Sequence, residues 1–238
     1  MKIDAYRKYI WLAVNIISVA FLGLLLQIGG AYIVNAAVNC IEDAASSGQA
    51  GALAESARQY GSFMESIRSI EPRQFVHVIF VAPLVEEIVF RLIFLRAGKM
   101  VMPFWAANLV QAVLFGIYHT VAIQRIYGAV MGLIIGCVFH YCPLIYRLAY
   151  DKEDPGGRSE AASEKKRPGM LDLPDCLIGV MITFWLHVCI NASGLLIAPR
   201  LSADIPYAAQ FIIGTAFMLA AAAVCIFLRR QAGGRSRS

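Results

Sequence analysis

Long apolar runs separated by short polar links dominate this chain. The runs cover about residues 9–38, 74–95, 102–123, 126–148, 174–197 and 207–228. Each approaches or exceeds the roughly 20 residues a helix needs to cross a hydrocarbon core about 30 Å thick. The first run follows a short basic start and resembles a secretion signal. It is too long for an apolar signal region of about 7–15 residues, so the pattern predicts a first membrane span. Residues 41–72 differ. Leu53, Ala57, Tyr60, Met64, Ile67 and Ile70 recur at helical spacing, with Glu55, Arg58, Glu65 and Arg68 between them. This predicts an amphipathic helix, lying either at the membrane surface or on the rim of the protein itself. Residues 149–173 are charged and rich in Pro, Gly and Ser, which predicts a flexible loop, and residues 198–206 hold two prolines and predict a turn.

The expected fold is therefore all-α, a polytopic transmembrane helical bundle of about six spans with one amphipathic surface helix. Residues 1–238 form a single membrane domain. Composition agrees, since the 238 residues are 59% apolar and 16% charged, far from a soluble domain. The net charge of +5 is split among links and tail, which argues against a nucleic-acid partner and for topology information. Segments 1–8, 96–101, 149–173 and 229–238, with the end of the fourth span, carry 15 of the 21 lysines and arginines. The positive-inside rule then puts both termini in the cytoplasm, 149–173 inside and 41–72 outside. The six cysteines form no CxxC pair and predict neither disulfides nor a zinc ribbon. Gly128, Gly132 and Gly136 bare one face of the fourth span for close helix packing.

Three charges within six residues interrupt the second span: Glu86, Glu87 and Arg91. One such charge at mid-bilayer costs about 2.5–3.5 kcal/mol on insertion scales. Glu87 and Arg91 are four apart and share a helix face, whereas Glu86 points about 140° from Arg91. One ion pair and one spare carboxylate result, unless all three form a buried staple between helices. The third span has a polar face of Asn108, Gln111 and His119 with Phe115 among them, and the fifth a stripe of Thr183, His187 and Asn191. His77 and His140 lie off these faces and are expected to be structural. A glutamate and a histidine can hold and deprotonate a water, while a second histidine and an asparagine donate hydrogen bonds to a developing oxyanion. That is amide hydrolysis inside the membrane. Two histidines and a glutamate could instead bind zinc, but the spacing is not HExxH and asparagine is a poor zinc ligand, so no cofactor is expected.

These residues carry a resemblance. Glu86-Glu87-Ile88-Val89-Phe90-Arg91 is similar to the EExxxR motif of the CAAX-protease and bacteriocin-processing family of intramembrane glutamic endopeptidases. Phe115–His119 resembles its FxxxH motif and His187–Asn191 its HxxxN motif, so the resemblance spans about residues 74–198, a four-helix catalytic core. It implies Glu86 as the base that activates water with His119 as its partner, His187 and Asn191 as oxyanion donors, and Glu87, Arg91 and Phe115 in support. It implies a peptide or protein substrate met among membrane lipids, in a multi-pass protein of the bacterial cytoplasmic membrane. The rival expectation is a non-catalytic scaffold or bacteriocin-immunity protein on the same fold. A small transporter fits less well, because no internal repeat or matched pair of broken helices is visible.

Overall fold

The computed structural model describes residues 2–46, 51–69, 71–151, 173–196 and 205–234, the side chains of 2–16, 45, 51–53, 67–68, 144–151, 225 and 227–234 excepted. Most of the expected loop 149–173, most of the turn 198–206, Ile70 and the side chains of Leu53 and Ile67 in the amphipathic pattern lie outside the described residues. Every regular element among them is helical: α1 (Lys2–Ser46), α2 (Gly51–Arg68), α3 (72–101), α4 (Phe104–Tyr118), α5 (Ala122–Asp151), α6 (Leu173–Leu196) and α7 (Tyr207–Gly234). By length and apolar composition, stretches of α1, α5, α6 and α7 can each cross a membrane. The other two members of the bundle are α3, which carries the three charges, and α4, which is 15 residues and so only about 22 Å long.

Lipid tails are as apolar as leucine, so packing density rather than the hydrophobic effect holds such helices together. Glycines set the closest approaches. A Cβ on Gly214 of α7 would sit 2.8 Å from the Gly29 carbonyl of α1. One on Gly132 of α5 would sit 3.1 Å from the Ala112 Cα of α4, and one on Gly136 would collide with the Asn108 side chain. The glycine face of the fourth span is thus where α4 lies against α5. Leu22 and Leu26 of α1 meet Ile135 of α5 and Leu186 of α6 in the main apolar core. A second core, of Leu95, Ala107, Phe139, Cys176 and Val180, closes the opposite end of α3 and α4. The amphipathic helix α2 packs on α1 and α5, with Ala54 and Ala57 buried and Glu55 and Arg58 facing out. It is a rim helix of the protein.

The third span is shorter than its apolar run. The run continues to residue 123, but α4 ends at Tyr118 and His119 adopts an extended backbone at φ −79°, ψ 143°. His119 caps its own helix: its N–H donates to the Gly116 carbonyl (3.1 Å) and its Nδ1 bonds the Phe115 carbonyl (2.9 Å). These bonds occupy two of the carbonyls that a helix end leaves without partners. His119 therefore does not continue the helical face of Asn108 and Gln111; it stands just past the end of it.

Candidate active site

The site is assembled around α3. That helix starts at Pro72, behind a Glu71 N–H that donates to the Gln74 side chain (3.1 Å), and it widens into π turns over His77–Val81 and Ile88–Leu95. In the first of these the Ala82 N–H donates to the His77 carbonyl, five residues back. The Val78 carbonyl would then look to residue 83, which is proline and has no N–H. Asn191 of α6 supplies the missing donor, its Nδ2 lying 2.9 Å from the Val78 oxygen. A proline on one helix and an asparagine on another are in this way a matched pair.

Glu87 and Arg91 are both fully buried, with Arg91 Nε 3.1 Å from Glu87 Oε2, the i,i+4 pair expected from the sequence. Arg91 also donates from Nη1 to the Gln111 Oε1 of α4. Gln111 in turn donates to the Gly132 carbonyl (2.9 Å) and to Asn108 Oδ1 (2.7 Å), and Asn108 donates to the Leu133 carbonyl (3.0 Å). A polar chain thus runs from α3 through α4 into the glycine face of α5. Gln111 is a member of this network that sequence reasoning placed on a polar face without giving it a task. The face was the signal; its partner on α3 was invisible.

The other oxygen of Glu87 holds a histidine. Oε1 lies 3.0 Å from His187 Nδ1, and a carboxylate can only accept, so Nδ1 carries the hydrogen. His187 Nε2 then faces Glu86, at 3.6 Å from Oε2. Glu87 accordingly orients His187, a role that the order of residues along α3 did not disclose. On the α4 side, the Nδ1 of His119 donates to the Phe115 carbonyl, which leaves Nε2 as its acceptor. The Phe115 ring meets both imidazoles edge to face, at 5.0 Å from His119 and 6.0 Å from His187, and the Arg91 guanidinium lies 5.1 Å from its centroid. Phe115 is the spacer that fixes both rings.

Glu86, His119, His187 and Asn191 all line one cavity of about 410 Å³. Its walls extend beyond residues 74–198. Gln27, Gly30 and Val34 of α1 and Tyr60, Phe63 and Met64 of α2 contribute to it. Tyr127 of α5 ties this side together by donating to Gln27 Oε1 (2.8 Å). His140 lies elsewhere, stacked on Phe104 and 3.0 Å from Lys99 Nζ, and exposed His77 is not among the lining residues. Among the described residues no three His, Cys, Asp or Glu side chains are grouped as a metal site requires, and none of the five described cysteines is in a disulfide.

Residues 69–147 match the family model described as type II CAAX prenyl endopeptidase Rce1-like. The match takes in Glu86, Glu87, Arg91, Phe115 and His119, while His187 and Asn191 lie beyond it. No curated protein and no solved structure gives a significant match. Motifs and match agree: over residues 69–147 the chain is similar to the CAAX prenyl endopeptidases that the motifs resemble.

Proposed function

We propose that this integral membrane protein is an intramembrane endopeptidase of the glutamic type, which hydrolyses a peptide bond with water activated by Glu86. One observation carries the reading: of two adjacent carboxylates, Glu87 is committed to Arg91 and His187, while Glu86 faces a cavity shared with His119, His187 and Asn191. Glu86 and the free Nε2 of His119 hold the water. Glu86 takes its proton as the oxygen attacks the carbonyl carbon. The carbonyl oxygen, now negative, accepts hydrogen bonds from a protonated His187 Nε2 and from the Asn191 amide hydrogen not used by Val78. Collapse of the intermediate breaks the C–N bond, and the proton on Glu86 passes to the leaving amine. Such acid–base assistance contributes about 10²–10⁴-fold to rate.

The same reading uses no metal: Glu86 and His119 activate the water by themselves. It places the protein in a bacterial cytoplasmic membrane with both ends inside, supported by the lysine and arginine bias. The test is peptide cleavage by the purified protein in detergent, read by mass spectrometry. Turnover that is lost in Glu86→Gln and in His119→Ala, and indifferent to EDTA, is the expected result. Undiminished turnover in a folded Glu86→Gln protein would overturn the mechanism. A cellular phenotype that survives this substitution at unchanged protein level would indicate a scaffold or immunity role.

A further inference from the structure

We infer that the cavity opens only on the extracytoplasmic side, and that its substrate is an uncharged, extended peptide segment emerging from the outer face of the bilayer. The inference deepens the hydrolytic reading and rests on it for the word substrate. Its own support is positional.

Helices α1 and α3 to α7 alternate in direction, so the bundle has two ends. One end holds Ser46, Pro72, Tyr118, Ala122, Leu196 and Tyr207; the other holds Lys2, Val101, Phe104, Asp151, Leu173 and Gly234. Every wall of the cavity is drawn from the first end. On α1 the lining starts at Gln27 and on α3 it stops at Glu86; on α6 it starts at His187 and reaches Leu195. Thr120 and Gln124, in and just after the 119–121 link, line it as well, and Tyr118, 61% exposed, stands at its mouth. Glu86 and His187 are therefore the floor.

Below that floor the bundle is shut. The Glu87–Arg91–Gln111–Asn108 network fills the space, and then the buried Leu95, Ala107, Phe139 and Cys176, with Phe104 stacked on His140 at 4.1 Å. Among the described residues this packing stands between Glu86 and the end where α1 begins and α7 finishes. That end also carries 15 of the 21 lysines and arginines, against five at the mouth end. By the positive-inside rule the mouth end is extracytoplasmic.

The lining specifies the occupant. Among the described residues Glu86 is its only carboxylate, no lysine or arginine lines it, and Gln27, Tyr60, Thr120, Gln124 and Tyr127 offer neutral donors and acceptors among apolar neighbours. Such a wall pairs with main-chain amides, whereas a charged side chain brought there would lose its water without gaining a partner.

Sidedness is testable on the full chain in its membrane. Exposed Cys40, at the mouth end of α1, is expected to react with a membrane-impermeant maleimide on intact spheroplasts, with the label lost in Cys40→Ser. A cysteine appended after Ser238 in the Cys40→Ser protein is expected to react only once the membrane is opened. The second arm uses one apolar span bearing the same uncharged peptide on either its outer or its cytoplasmic flank. Cleavage of the outer version alone, lost in Glu86→Gln, supports the inference. Labelling of Cys40 only after opening, or cleavage on the cytoplasmic flank, overturns it. If detergent-solubilised protein still cleaves peptide, the hydrolytic reading survives that failure. If wild-type protein cleaves neither flank nor peptide in detergent, the hydrolytic reading and the substrate fall together, and labelling alone still decides which way the cavity faces.

Discussion

Glu86 and Glu87 are consecutive residues of α3, yet they belong to different regions of the bundle. Glu87 sits in a buried polar knot in which Arg91, Gln111, Asn108 and His187 bond one another and the backbone of α5, with Arg91 Nη2 alone of the guanidinium nitrogens left unbonded among the described residues. Glu86 lines a cavity, and its described ionic contact is a histidine nitrogen at 3.6 Å, longer than a direct hydrogen bond. The knot uses charge to fix helices against one another. The cavity leaves a carboxylate with unfilled acceptor capacity where water and substrate can reach it. Within a membrane both arrangements cost burial energy, but only the knot recovers it through contacts inside the protein.

Four substitutions sharpen or break that contrast. The largest effect is expected for Glu86→Gln, which lowers turnover by about 10²–10⁴-fold while the thermal midpoint in detergent stays at or above wild type. A concomitant loss of folded protein would place Glu86 in the knot. Arg91→Met does the opposite. It strands the Glu87 carboxylate in a dry interior at a cost of about 3–5 kcal/mol, read as lost folded yield, and Glu87→Gln in the same chain recovers part of it. Equal tolerance of Arg91→Met and Glu86→Gln would erase the distinction between the two regions.

Asn191→Leu orphans the Val78 carbonyl and costs about 1–3 kcal/mol of stability. In a Pro83→Ala background residue 83 has an N–H to offer, so the same substitution costs less; an additive double-mutant cycle would deny that Asn191 answers Pro83. The smallest effect is at the rim. Arg58 Nη2 is 2.7 Å from Glu55 Oε2 on the exposed face of α2, and its hydrogen bond holds the Glu55 carboxyl below the usual range. A lowered carboxyl stabilises the fold above the unfolded-state value, and the benefit is lost as pH falls through the folded one. Both groups are solvated, so Arg58→Ala is expected to leave the thermal midpoint and its acid limb unchanged within error.

Local periodicity reaches some of this and not the rest. The Glu87–Arg91 pair was legible because four residues along a helix return to one face, and the glycine face of α5 because a missing side chain is visible in the sequence itself. The end of α4 was not legible. The apolar run continues through residue 123, but the helix stops at Tyr118, where the His119 N–H and ring nitrogen turn back onto the Gly116 and Phe115 carbonyls. Nor did the run lengths show that α2 would reach the cavity with Tyr60, Phe63 and Met64.

By itself, the sequence determined that this chain makes lipid-length helices, which of them carry charge, and which carry a polar face. Those properties are set by composition and by a repeat of 3.6 residues, both of which act within one helix. Tertiary structure alone decided that His187 is shared between two carboxylates, that Asn191 serves a carbonyl on another helix, and that α1 and α2 help line the cavity. Such facts depend on the rotation and depth of each helix relative to its neighbours. Those are fixed where backbones touch, at Gly132 and Gly136 against α4 and at Gly29 against Gly214, and no single helix encodes them.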